Sequence, residues 1–192
     1  MTRAMIVALG VLAAWPAAAE ERRELGAHEH GHSVLNIAIE GSRVEMELIA
    51  PGMDIVGFEH AAESEEQKAT IEQAETTLGD PLALFVLPAG AGCRAETVAI
   101  ELEVEGHHEQ DDADEHEHAE DADHEDEAGH NQFHAVYGIA CSSPGNLGSI
   151  GFAFFERFPG AQEIDVTVIT ENGQTRYEVE RDAPRIDLKG LI

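Results

Sequence analysis

Basic residues are scarce in this 192-residue chain: 11 Lys and Arg stand against 39 Asp and Glu, for a formal charge of −28. Such a chain repels nucleic acid and anionic membrane surfaces and attracts cations. Cysteine is nearly absent, with only Cys93 and Cys141, and no Cys-x-x-Cys spacing offers a zinc–thiolate site. A Gly-rich phosphate loop is missing, as is any local signature of a Ser-His-Asp or Cys-His nucleophile. Apolar runs are short. The longest lies in "MTRAMIVALGVLAAWPAAAE", with basic Arg3, about a dozen apolar residues and the small-residue run Ala17–Ala19. That is too short for a bilayer, which takes about 20 residues. The pattern predicts a signal peptide over 1–19, cleaved after Ala19, and an exported protein without membrane insertion. No cysteine at the cleavage point offers a lipid anchor. Loss of Arg3 and of no acid would move the charge from −28 to about −29. In an oxidising compartment the two cysteines are expected to form one disulfide, worth roughly 4 kcal/mol by loop entropy; two buried thiols are the alternative.

What remains is rich in strand signals. "VLNIAIE" alternates Leu35, Ile37 and Ile39; "RVEMELIA" alternates Val44, Met46 and Leu48. A two-residue Gly41-Ser42 turn pairs Ile39 with Val44, Ile37 with Met46 and Leu35 with Leu48, putting all six on one face. "SEEQKATIEQAETTLGDP" reads as a helix: Ser64 and Gln67 form a capping box, Ile71, Ala74 and Leu78 share a face, and Gly79 with Pro81 stops it. "LALFVLP" fits a buried strand or a helical turn equally. "ETVAIELEVE" and "FHAVYGIAC" alternate as a hairpin whose open end brings Cys93 and Cys141 together. "LGSIGFAFFERFPG" predicts a helix with Leu147, Ile150, Phe154, Phe155 and Phe158 as its stripe. A last hairpin turns at Asn172-Gly173, pairing Val168 with Tyr177 and Val166 with Val179. The expectation is one α+β domain over 20–192, a mostly antiparallel sheet of hairpins with about two helices. Residues 106–132 should form a flexible loop inside it.

That loop is the densest chemistry in the chain. Gly106 to His130 holds His107, His108, His116, His118, His124 and His130 among twelve acids, without one Lys or Arg. It has too little apolar surface to offset ordering. Solubility alone needs no histidine, whereas neutral imidazole ligates Zn, Co, Ni and Cu(II), carboxylates add oxygen ligands, and the negative charge concentrates divalent cations. A soft array of this kind should bind several ions reversibly. "DDADE" lacks the central Gly and final Glu of an EF-hand.

A second cluster, "HEHGHSVLNIAIEG", places His28, His30 and His32 at alternate positions ahead of a strand. Residues at i and i+2 of an extended chain project from one side, so His-x-His can present two imidazoles to one ion. Gly31 lets the backbone bend between the last two. The cluster also spells His-Glu-x-x-His, but that protease motif works on a helix, and here it contains Gly31 and runs into a strand. His60 or His134 could be brought in by the fold to complete a fixed site; either could equally be an ordinary hydrogen-bonded histidine.

The succession "HEHGHSVLNIAIEG", "APGMDIVGFEH", "EEQKATIEQAETTL", "LFVLPAGAGC", a His/acid-rich stretch, "FHAVYGIAC" and "FFERFPGAQEIDV" resembles the ZrgA-like family of exported bacterial zinc-acquisition proteins. The resemblance covers nearly all of the chain after residue 19. It implies zinc binding in the periplasm in support of an ABC-type zinc importer, and it favours His28, His30, His32 and His60 as family features. Two other classes stand beside this expectation. One is a periplasmic storage or tolerance protein for Zn, Ni or Cu; the scarcity of Met near the histidines weighs against Cu(I). The other is a metallohydrolase, which needs three fixed ligands, an open position and a base that the sequence does not display. The expected role is therefore binding, not catalysis.

Overall fold

The computed structural model describes residues 31–104 and 130–192. The predicted signal peptide, His28, His30 and the loop histidines from His107 to His124 lie outside the described residues.

The first two strands, β1 (His32–Glu40) and β2 (Arg43–Pro51), meet in the tight turn the alternation requires. Leu35 pairs with Leu48, Ile37 with Met46 and Ile39 with Val44. After a single helical turn, α1 (Gly52–Ile55), comes α2 (Glu65–Leu78). Ser64 caps it by accepting the Gln67 N–H, and the Gln67 side chain accepts the Ser64 N–H in return. Ala74 and Leu78 are its buried residues. The ambiguous "LALFVLP" is both things at once. Asp80 caps a helical turn, α3 (Pro81–Leu84), which runs straight into β3 (Phe85–Val86).

The long strands β4 (Cys93–Val104) and β5 (Asn131–Cys141) pair in the expected register, Cys93 opposite Cys141, and the two cysteines form a disulfide. The chain then differs from the sequence expectation. The predicted helix over "LGSIGFAFFERFPG" is instead β6 (Ser149–Phe152) followed by one helical turn, α4 (Phe154–Arg157). Pairing of β6 with β3 and with β9 (Arg185–Asp187) supplies the backbone hydrogen bonds that a local helix would have made. All five stripe residues are buried regardless, Leu147, Ile150, Phe154, Phe155 and Phe158 being at most 3% exposed. Spacing found the core positions and misjudged the backbone that delivers them. The last hairpin, β7 (Glu163–Thr170) and β8 (Gly173–Glu180), is also shifted from expectation. Val166 faces Tyr177 and Val168 faces Thr175, because the loop is Glu171-Asn172. A type I′ loop at Asn172-Gly173 needs positive φ at both residues, and only Gly173 has it (φ +146°). The partner shift is two residues, so the buried face is preserved.

The main sheet has six strands in the order β4-β5-β2-β1-β7-β8, antiparallel except for the β1–β7 pair. One face is covered by α2, by the small β3-β6-β9 sheet and by an aromatic cluster in which Phe85 contacts Tyr137, Phe152 and Phe154. The Arg181 guanidinium fastens the segment leading into β7. It donates to the carbonyls of Phe155 (2.7 Å), Phe158 (3.2 Å), Pro159 (2.9 Å) and Ala161, and lies 5.6 Å from the Phe155 ring centroid. The other face of the sheet is open, and it carries His32 and His134. Among the described residues no helix is long and apolar enough to cross a membrane.

Candidate metal centres on the open face of the sheet

The starts of β1, β5 and β7 and the ends of β2, β4 and β8 lie together at one end of the sheet. Pleating sends every second side chain to the open face. Near that end the face presents Glu47, Glu101, Glu103, Glu163, Asp165 and Glu178, together with His32 and His134.

His32 is placed by the residue ahead of it. Gly31 has φ +90°, a conformation that glycine alone adopts without strain. Its N–H donates to Asp54 Oδ1 (2.7 Å), and its carbonyl accepts the N–H groups of Gln162 (2.8 Å) and Glu163 (2.9 Å). This clamp sets β1 beside β7 in parallel register, His32 opposite Glu163, with Nδ1 3.7 Å from Glu163 Oε1. Asp165, two residues on, shares the face. One ligand atom from each of His32, Glu163 and Asp165 can be chosen so that all three lie within 4.8 Å of one another. Ligands around tetrahedral zinc, at about 2.0–2.1 Å from the ion, sit roughly 3.4 Å apart, so small rotamer changes bring this group to bonding geometry. The His32 side chain is 42% exposed, open to an arriving ion.

His134 forms a second group. It pairs directly with Glu101 across β4–β5, and Glu103 lies two residues further along the same face. Glu101, Glu103 and His134 also bring their ligand atoms within 4.8 Å. On its other side, His134 Nε2 is 3.1 Å from Glu47 Oε1. The two histidines fall in separate groups. β2 separates their strands, and His134 is level with Val34 through Ile49, so about 10 Å of sheet plus a two-residue offset divides them.

The remaining described histidines sit at the same end, off the sheet. His130 Nδ1 is 2.9 Å from Glu59 Oε2. His60 stacks on Phe58 with ring centroids 5.2 Å apart, and its Nδ1 is 2.8 Å from the Ala61 carbonyl, which assigns the proton to Nδ1. Its Nε2 faces the Gln67 amide at 3.4 Å. Among the described residues neither His60 nor His130 belongs to a three-ligand group. The carboxylate partners Glu101, Glu103, Glu163 and Asp165 were not among the ligands expected from the sequence, all of which are histidines. Their signal was present as "ELEVE" and "EID", acids at i and i+2 of strands, which share a face.

A family model described as "ZrgA family zinc uptake protein" matches residues 27–188, which spans the whole described fold except its last residues. No curated protein matches the chain.

Proposed function

The chain belongs to the ZrgA family of zinc uptake proteins, and from that premise we propose that it captures and buffers Zn²⁺ in the periplasm and supplies an ABC-type importer. The observation that carries the reading is the His32–Glu163–Asp165 group at the clamped start of β1. His28 and His30 stand immediately before it in sequence and would add imidazoles to that ion, while the histidines of 107–130 serve as a weaker collecting array. An imidazole with two carboxylates suits Zn²⁺ and admits Co²⁺, Ni²⁺ or Cu²⁺. The protein's part in this is binding; the metal is cargo and no bond of a substrate is broken.

Capture requires release. Zinc ligation needs neutral imidazole, so acidification toward pH 5–6 should expel the ion as histidine takes up protons. The open position of the group favours handover to a partner with more complete ligation.

Calorimetric Zn²⁺ titration of the whole chain, beside a variant lacking 107–130 and beside His32→Ala, tests the proposal. A tight site is expected to survive the deletion and to weaken at least ~10-fold in His32→Ala, as loss of a ligand should cost no less than loss of an orienting partner. Disappearance of all binding with the deletion would reduce the protein to a scaffold for a metal-buffering loop.

A further inference from the structure

We propose that Glu101, Glu103 and His134 form a second divalent-cation site, separate from the His32 group and prepared by Glu47 and Gln132. The arrangement has the parts of a metal site in the order such sites use them. His134 presents its two ring nitrogens to different neighbours. Nε2, 3.1 Å from Glu47 Oε1, is assigned the proton by that contact. Nδ1 is then the lone-pair nitrogen, and it faces Glu103 Oε1 at 3.6 Å, close to the spacing of two ligands on one zinc. Carboxylate, imidazole and metal in line is the common way a protein fixes the tautomer and raises the basicity of a ligating histidine. Glu47 is itself held, accepting from the Asn36 side-chain amide through Oε2 (3.1 Å).

A second, independent observation concerns Gln132. It is 3% exposed, and its Nε2 donates to Glu103 Oε2 at 2.6 Å, orienting that carboxylate. Its own Oε1 is buried without a hydrogen-bond partner among the described residues. A buried amide oxygen normally has a partner. That oxygen is closed to water as it stands, so a cation beside Glu103 would give it a partner only as the Gln132 amide turns toward the carboxylate. One imidazole and two carboxylates, with no sulfur, select a first-row divalent cation such as Mn²⁺, Co²⁺ or Zn²⁺ and reject Cu(I). Because Glu101 and Glu103 belong to β4 and His134 to β5, an ion here ties together the two strands that bracket the His-rich segment. Its part in zinc handling rests on the function proposed above; its existence as a site does not.

Mn²⁺ is the probe, since mixed carboxylate–imidazole groups take it and its paramagnetism marks each occupied site by position. Substoichiometric Mn²⁺ is added to the ¹⁵N-labelled whole chain, and amide broadening is read residue by residue. The expected result includes broadening centred on residues 99–103 and 132–136 that is unchanged in His32→Ala, lost at those residues in Glu101→Gln/Glu103→Gln, and reversed by Zn²⁺, which binds such ligands more tightly. Both glutamates are exposed, so the double variant should keep the native amide dispersion. Broadening that avoids these strands, or that survives the double substitution at these residues, overturns the site. Loss of tight zinc in His32→Ala with this Mn²⁺ pattern intact separates the two proposals. Persistence of tight zinc in that variant counts against the His32 group alone.

Discussion

At the residue scale, the most consequential positions are ones whose role depends on a neighbour far away in sequence. Gly31 holds His32 in place by accepting from β7 and donating to Asp54. Gly31→Ala should cost about 1–2 kcal/mol through the strained positive φ, lowering urea resistance and, on the function proposed above, weakening zinc binding with it. Tyr137 is a different case. Its hydroxyl is fully buried and has no hydrogen-bond partner among the described residues, and burial pushes its ionisation well above the ordinary range. A folded pKa raised above the unfolded value near 10 means that the neutral phenol's contribution is intact below about pH 10 and lost as pH rises beyond it. Tyr137→Phe should therefore leave stability at pH 8 unchanged or raise it by about 1 kcal/mol. It should also flatten the loss of stability above pH 10. Urea midpoints at pH 8 and pH 10.5 check both halves.

At the scale of elements, local rules decided where they could be satisfied locally. The β1–β2 hairpin and the β4–β5 pairing follow directly from alternation and turn chemistry, and α2 from its capping box. Ser64→Ala should remove the cap and cost ~1 kcal/mol, seen as a lower thermal midpoint with the zinc isotherm unchanged. The disulfide belongs to this scale as well, since it closes the open end of β4–β5. A Cys93→Ser/Cys141→Ser variant should lose up to ~4 kcal/mol, measurable by denaturant unfolding. Where two local solutions compete, the sequence reading failed. "LGSIGFAFFERFPG" has helical spacing, yet β3 and β9 on either side of β6 offer non-local pairing that no local pattern reveals. At Asn172-Gly173 the composition marks a turn, while the loop itself falls one residue earlier.

For the whole molecule, charge and topology act together. A net charge of −28 draws cations from solution, and the open face of the sheet concentrates carboxylates around His32 and His134. Long-range attraction between exposed charges is screened beyond a Debye length of roughly 8–10 Å at 0.10–0.15 M salt. Raising salt should accordingly slow zinc association more than it speeds dissociation, a difference that stopped-flow measurements with a zinc-responsive dye can read. Val104 is paired with Asn131 at the end of the sheet where His32, His60 and His130 also lie. All the described histidines except His134 sit at strand starts or in loops at that end, and His134 is three residues into β5.

The sequence by itself determined the chemistry and much of the scaffold: imidazole and carboxylate in excess, cysteines spaced for one disulfide, and strands whose period of two admits one buried face. These are properties of residue type and short-range spacing. Only the tertiary structure decided which carboxylates meet which histidine. Glu163 reaches His32 because β7 lies parallel to β1, and Glu101 and Glu103 reach His134 because β4 pairs with β5. The same pairing keeps His32 and His134 apart with β2 between them, each beside its own carboxylates. Strand order is fixed by how the sheet buries its inner face over the whole chain, a collective quantity that no single stretch contains.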